Sequence, residues 1–191
     1  AQAVLLLRTS LELGRIEGEL DEDDYASLEK DLNVFPEALS IMLNEKSGFL
    51  RNLASLTSNV KNWLFLGCGI YYPVAMESAL KMKEVTYLHA EGMSAGFLKH
   101  GTLSMIESSV HSLFFVPMPE EKQLHERTLI AIEEIKTRGG TLVGLFFEGD
   151  SEADALLDHA VELPNVPVLL APLLEMVMAQ MFAYYTAIDL K

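Results

Sequence analysis

Four short stretches of near-continuous apolar character, at 63–66 (WLFL), 110–117, 141–147 and 160–163, constrain this chain more than any other feature. Segments with helical spacing separate them. A strand that is apolar on both sides must be covered on both sides, and helical crossovers between parallel strands do this. The pattern predicts an α/β fold: a parallel four- to five-stranded sheet with helices on both faces, three layers in all. The crossovers fall at 73–87, at 119–138 (stopped by Gly139–Gly140) and at 151–158. A long apolar helix closes the chain.

Upstream of residue 60 the spacing is helical throughout. One helix is expected over 1–18, followed by an acidic turn and helix start at Asp21 to Asp24. Further helices are expected over 31–44, broken near Pro36, and over 46–58. The chain therefore divides into a helical segment, 1–60, and a sheet-bearing domain, 61–191. It opens at Ala1 without Met, inside an apolar helical pattern, which suggests a piece of a longer product.

Lys and Arg number 14 against 28 Asp and Glu, for a net charge of −14. Nucleic acid and anionic membranes both call for a basic footprint, so neither is expected as a partner. The single cysteine, Cys68, permits no internal disulfide and fits a cytoplasmic setting. The apolar stretch 166–188 is long enough to span a bilayer. Pro167, Pro172, Glu175, Gln180 and its methionines argue instead for a helix buried in protein or at a subunit contact.

Chemistry concentrates between residues 72 and 101. On a helix, Glu77, Lys81 and Glu84 share one face. His89 and His100 follow closely. A carboxylate beside a lysine, with imidazoles nearby, can move protons on a small polar substrate; a solvated helix would show the same spacing. Gly67–Cys68–Gly69 ends a strand and opens a helix, where backbone can meet an anionic ligand. Ordinary turn chemistry explains a lone G-x-G equally well. His111 reads as a strand residue, His125 and His159 as surface residues, and no metal-site spacing occurs.

The stretch FLGCGIYYPVAMESALKMKEVTYLHAEGMSAGFLKHG, with ALKMKE at 79–84, HAE at 89–91 and LKHG at 98–101, resembles the isomerase half of the glutamine–fructose-6-phosphate aminotransferase (glucosamine-6-phosphate synthase) family. That half is built from two sugar isomerase (SIS) subdomains. The resemblance implies that 61–191 is the second subdomain and 1–60 the end of the first plus a connector. It implies a hexose 6-phosphate substrate, a homodimer, no cofactor and no metal. It assigns Glu84 to carrying a proton between C1 and C2, and Lys81 to positioning or protonating sugar hydroxyls. His100 would assist ring opening in the neighbouring subunit's site, and Glu77 would contact substrate or hold Lys81. Gly67 and Gly69 are expected near the substrate. In the family, the phosphate loop belongs to the first SIS subdomain and the imine-forming lysine to a C-terminal tail. Ammonia comes from a glutaminase domain. The chain alone is therefore expected to be inactive as a synthase.

Three positions depart from the family pattern: Cys68 replaces a usual arginine, Phe97 a glutamate and Thr102 a proline. They leave room for a fructosamine-phosphate deglycase, another sugar-phosphate isomerase, or a non-catalytic SIS sensor of sugar phosphates. Glu84, Lys81 and His100 together favour an enzyme of amino-sugar biosynthesis.

Overall fold

A computed structural model describes residues 2–190; Ala1 and Lys191, the ends of the expected first helix and last domain, lie outside the described residues. Three helices come first: α1 (Gln2–Ile16), α2 (Glu22–Glu45) and α3 (Ser47–Leu56). Asp21 caps α2 by accepting a hydrogen bond from the Asp24 amide at 2.8 Å, and Glu22, Asp23 and Asp24 complement the positive end of its dipole. The break expected near Pro36 does not occur: α2 starts at Glu22 and runs through Pro36 without interruption. Leu32, Phe35 and Met42, on both sides of the proline, are all buried in one apolar cluster. That packing outweighs the missing amide hydrogen bond.

The remainder alternates. The strands are β1 (Asn62–Gly67), β2 (His89–Ser94), β3 (Val110–Phe115), β4 (Thr141–Phe147) and β5 (His159–Leu163). The helices are α4 (Tyr71–Thr86), α5 (Lys122–Lys136), α6 (Ser151–Leu156) and α7 (Ala171–Asp189), with short 3-10 turns at Ala95–His100, Thr102–Met105 and Val168–Leu170. The five strands are all parallel, in the order β2-β1-β3-β4-β5. Side chains alternate across the sheet. Trp63, Phe65, Leu113, Phe115, Val143 and Leu145 face α3, α4 and α7, whereas Leu64, Leu66, Phe114, Leu142 and Phe146 face α5 and α6. Trp63, wholly buried, meets the Phe182 ring of α7 edge-on at 5.1 Å. α7 is long and apolar enough to cross a membrane, and half of its apolar window is buried inside this fold.

β2 has no apolar run because it is an edge strand carrying His89, Glu91 and Gly92. Gly92 pairs in register with Phe65, on the α4 side. A Cβ there would lie 2.4 Å from Met76 Cα, so α4 rests backbone to backbone on the sheet edge.

Candidate active site

α4 leaves β1 at the carboxyl end of the sheet and runs back toward its amino end. Its last three turns carry the charged face anticipated from the spacing. Lys81 Nζ lies 2.7 Å from Glu84 Oε2 and 3.6 Å from Glu77 Oε1. The hydrogen bond to Glu84, reinforced by the Glu77 charge, raises the Lys81 pKa and keeps it an ammonium. The three side chains are one-third to one-half exposed, so the pairing adds little to stability and leaves the groups reachable. Among the described residues Lys81 engages Glu84 through Oε2 alone, and no hydrogen bond reaches Oε1. The helix stops three residues later, where Tyr87 adopts a left-handed conformation (φ 60°) and its amide closes on Lys83 O.

Lys81 and Glu84 open into a cavity of about 660 Å³ between the C-terminal halves of α4 and α7, large enough for a hexose phosphate. Val85 and Tyr87 complete its α4 side; Gln180, Ala183, Tyr184, Ala187 and Ile188 form the other. Nothing in the apolar reading of α7 pointed to Gln180 or Tyr184. The available signals were the aromatic hydroxyls of Tyr184 and Tyr185 and the amide of Gln180 in a mostly apolar helix.

Other expected site residues fall elsewhere. Gly67 and Gly69 flank the turn at the opposite end of α4. Thirteen residues of helix separate Tyr71 from Glu84, a rise of about 20 Å, too far for one hexose phosphate to touch both. The chain's own packing explains both glycines. A Cβ on Gly67 would lie 2.3 Å from Tyr71 O, and Gly69 has φ +55° with Leu124 Cδ2 2.8 Å from where its Cβ would stand. Gly67 and Gly69 thus stand in a turn that packs on itself, at the far end of α4 from Glu84.

His100 ends the 3-10 segment Ala95–His100, which packs on α5, across the sheet from α4. Its ring is exposed and 5.7 Å from that of Phe97. One copy of the chain therefore does not bring His100 to Glu84. Lys99 ties the same segment to α5 through Glu134 at 2.7 Å. His89 and Glu91 pair at 3.5 Å at the sheet edge.

Two histidine expectations are corrected. His125 is buried, with Nε2 2.7 Å from Asp150 Oδ2, while Asp150 Oδ1 accepts from the Ala153 amide and caps α6. His159 is a partly buried β5 residue, not a surface one. His111 is a strand residue as read; burial lowers its pKa, and its ring meets Trp63 edge-on at 5.4 Å.

At the closed end of the sheet, Tyr71 is wholly buried and donates to Glu121 Oε2 at 2.5 Å. Burial, then the Glu175 carboxyl, holds its phenol far above the ordinary range. Glu175 of α7 is itself wholly buried, and neither of its oxygens has a hydrogen-bond partner. The neighbouring Val116 amide is committed to Leu145 O at 3.0 Å. Burial raises the Glu175 pKa well above normal, so it retains its proton. No cluster of three or more metal-ligating side chains occurs among the described residues.

A parallel five-stranded sheet in the order β2-β1-β3-β4-β5, covered by helices on both faces, is the sugar isomerase architecture. The SIS domain family model matches residues 56–190, and the chain belongs to that family. Over all 191 residues it is 38% identical to glutamine–fructose-6-phosphate aminotransferase (isomerizing) of Methanococcus maripaludis. It is 34% identical over 184 residues, 96% of this chain, to the enzyme of the same name from Corynebacterium diphtheriae. The chain spans about 30% of the length of these relatives. The solved C-terminal domain of glucosamine-fructose-6-phosphate aminotransferase from Francisella tularensis superposes with a TM-score of 0.86 at 26% identity, covering 95% of this chain and 50% of that one.

Proposed function

We propose that the chain is part of the isomerase half of a glutamine-dependent fructose-6-phosphate aminotransferase and supplies its proton-transfer side. The observation that carries this is the Lys81–Glu84 contact of 2.7 Å at the mouth of the cavity between α4 and α7. Shifting a carbonyl between adjacent sugar carbons needs one base that serves both, and a carboxylate with one oxygen free can do so. Lys81 stands where negative charge develops on a sugar oxygen, and Glu77 holds Lys81 in place. His100, exposed on the far side of the sheet, serves the site of a second copy, which makes a homodimer the working unit. The phosphate cradle, the imine-forming lysine and the ammonia source come from parts of the protein outside this chain. Similarity over 191 and 184 residues to two proteins named for this reaction supports the assignment over a deglycase or sensor.

Glu84→Gln in the full-length protein tests it. Conversion of fructose 6-phosphate to glucose 6-phosphate is expected to fall about a thousandfold in kcat, with thermal stability unchanged. Undiminished turnover would remove Glu84 from the chemistry. The chain alone, given fructose 6-phosphate and ammonia, is expected to form no glucosamine 6-phosphate.

A further inference from the structure

α7 supplies the second wall of the Glu84 cavity. Gln180 and Tyr184 lie one helical turn apart on the same face, opposite Lys81 and Glu84. Tyr184 is 58% exposed, and an aromatic ring so exposed would ordinarily be free to change rotamer. This one is braced. The Tyr185 ring meets it edge-on, with centroids 5.3 Å apart and planes at 63°. The Tyr185 hydroxyl in turn shares a hydrogen bond of 2.5 Å with Ser47 Oγ, 138 residues earlier in the chain. Ser47 is the first residue of α3 and precedes the SIS match, which begins at 56. A helix outside the matched domain thereby fixes a ring at the mouth of the cavity.

The chemistry of this wall suits a polyol. An open-chain sugar carries both C–H groups and hydroxyls along its carbon skeleton. A rigid ring can meet the C–H groups by dispersion, while an amide and an ammonium take hydroxyls. We propose that Tyr184 is a specificity-determining residue that contacts the carbon skeleton of the hexose phosphate in the Glu84 site, and that Ser47 and Tyr185 are positioning residues for its ring. This rests on the reading of Glu84 given above.

The test measures kcat and KM for fructose 6-phosphate in the full-length protein. Tyr184→Leu is expected to raise KM about tenfold and leave kcat within about twofold, whereas Tyr184→Phe, which keeps the ring, stays within about twofold in KM. Ser47→Ala and Tyr185→Phe are each expected to raise KM about threefold. The double variant should match either single one, since both break the same hydrogen bond. Ser47→Thr restores a hydroxyl and should restore KM. Saturation-transfer NMR, irradiating aromatic protons, gives a readout independent of turnover. Transfer to the sugar C–H protons should persist in Tyr184→Phe and drop in Tyr184→Leu. An unchanged KM and undiminished transfer in Tyr184→Leu, with Glu84→Gln inactive, overturns the role of Tyr184 and leaves that of Glu84 standing. A fully active Glu84→Gln overturns the latter, and the transfer experiment still decides whether sugar touches the ring. Unchanged KM in both Ser47→Ala and Tyr185→Phe overturns the positioning role.

Discussion

Beside the two ends of α4 stand carboxylates in opposite states, one from α7 and one from α4 itself. At the carboxyl end of the sheet, Glu175 of α7 is wholly buried near Tyr71 and Val116 and keeps its proton. At the other end, Glu84 is half exposed, paired with an ammonium and open to a cavity. In open α/β sheets the carboxyl end is the usual ligand crevice. Here the chain's own side chains fill that position: Tyr71 lies under it and Leu124 presses against Gly69. A strand end is thus a candidate site only while nothing occupies it, and in this chain the exposed Lys81–Glu84 pair stands at the opposite end, on a helix face.

Substitutions at the two ends should separate function from stability. The largest effect is expected at the open end. Lys81→Met should cut kcat about a hundredfold, because charge developing on the sugar oxygen loses its counterion, yet leave the unfolding free energy nearly unchanged. A large loss of stability would mean that the pair is structural. At the closed end, Glu175→Met should stabilise the chain by about 1–3 kcal/mol at pH 7, with no catalytic cost of its own, because it removes a buried polar group without partners.

The pH dependence of unfolding sharpens that prediction. The folded pKa of Glu175 lies above its unfolded value, so its favourable contribution is complete below the ordinary carboxylate range. It is lost progressively as pH rises from there toward the folded value. Stability measured by urea unfolding should therefore decline from about pH 5 upward in the wild type, and less steeply in Glu175→Met. Equal slopes would show that Glu175 does not titrate as its burial demands. The smallest effect is Tyr71→Phe, which removes the hydrogen bond to Glu121 and should cost about 1 kcal/mol without altering KM.

Much of this was legible in the residues, and the failures share physical causes. β1, β3, β4 and β5 announced themselves because strands covered on both faces are continuously apolar. β2 did not, because an edge strand can carry His89 and Glu91 and needs Gly92 for a contact that spacing does not reveal. Pro36 read as a stop because local rules do not weigh the burial of Leu32, Phe35 and Met42 around it. His125 read as a surface residue because its partner, Asp150, is remote in sequence. The Glu77–Lys81–Glu84 face followed from helical periodicity alone. The opposite wall did not, since Gln180 and Tyr184 become neighbours of Glu84 only when α7 packs on α4.

The contact of Gly92 with Met76 also governs how accurately Glu84 is aimed. Met76 sits eight residues before Glu84, about 12 Å along the same rigid rod. A methyl group at 92 would push that rod off the sheet at its pivot, and a small tilt there would swing its far tip, carboxylate included, across the mouth of the cleft. The orientation of Glu84 therefore depends on a residue that has no side chain, on the edge strand β2 rather than on α4.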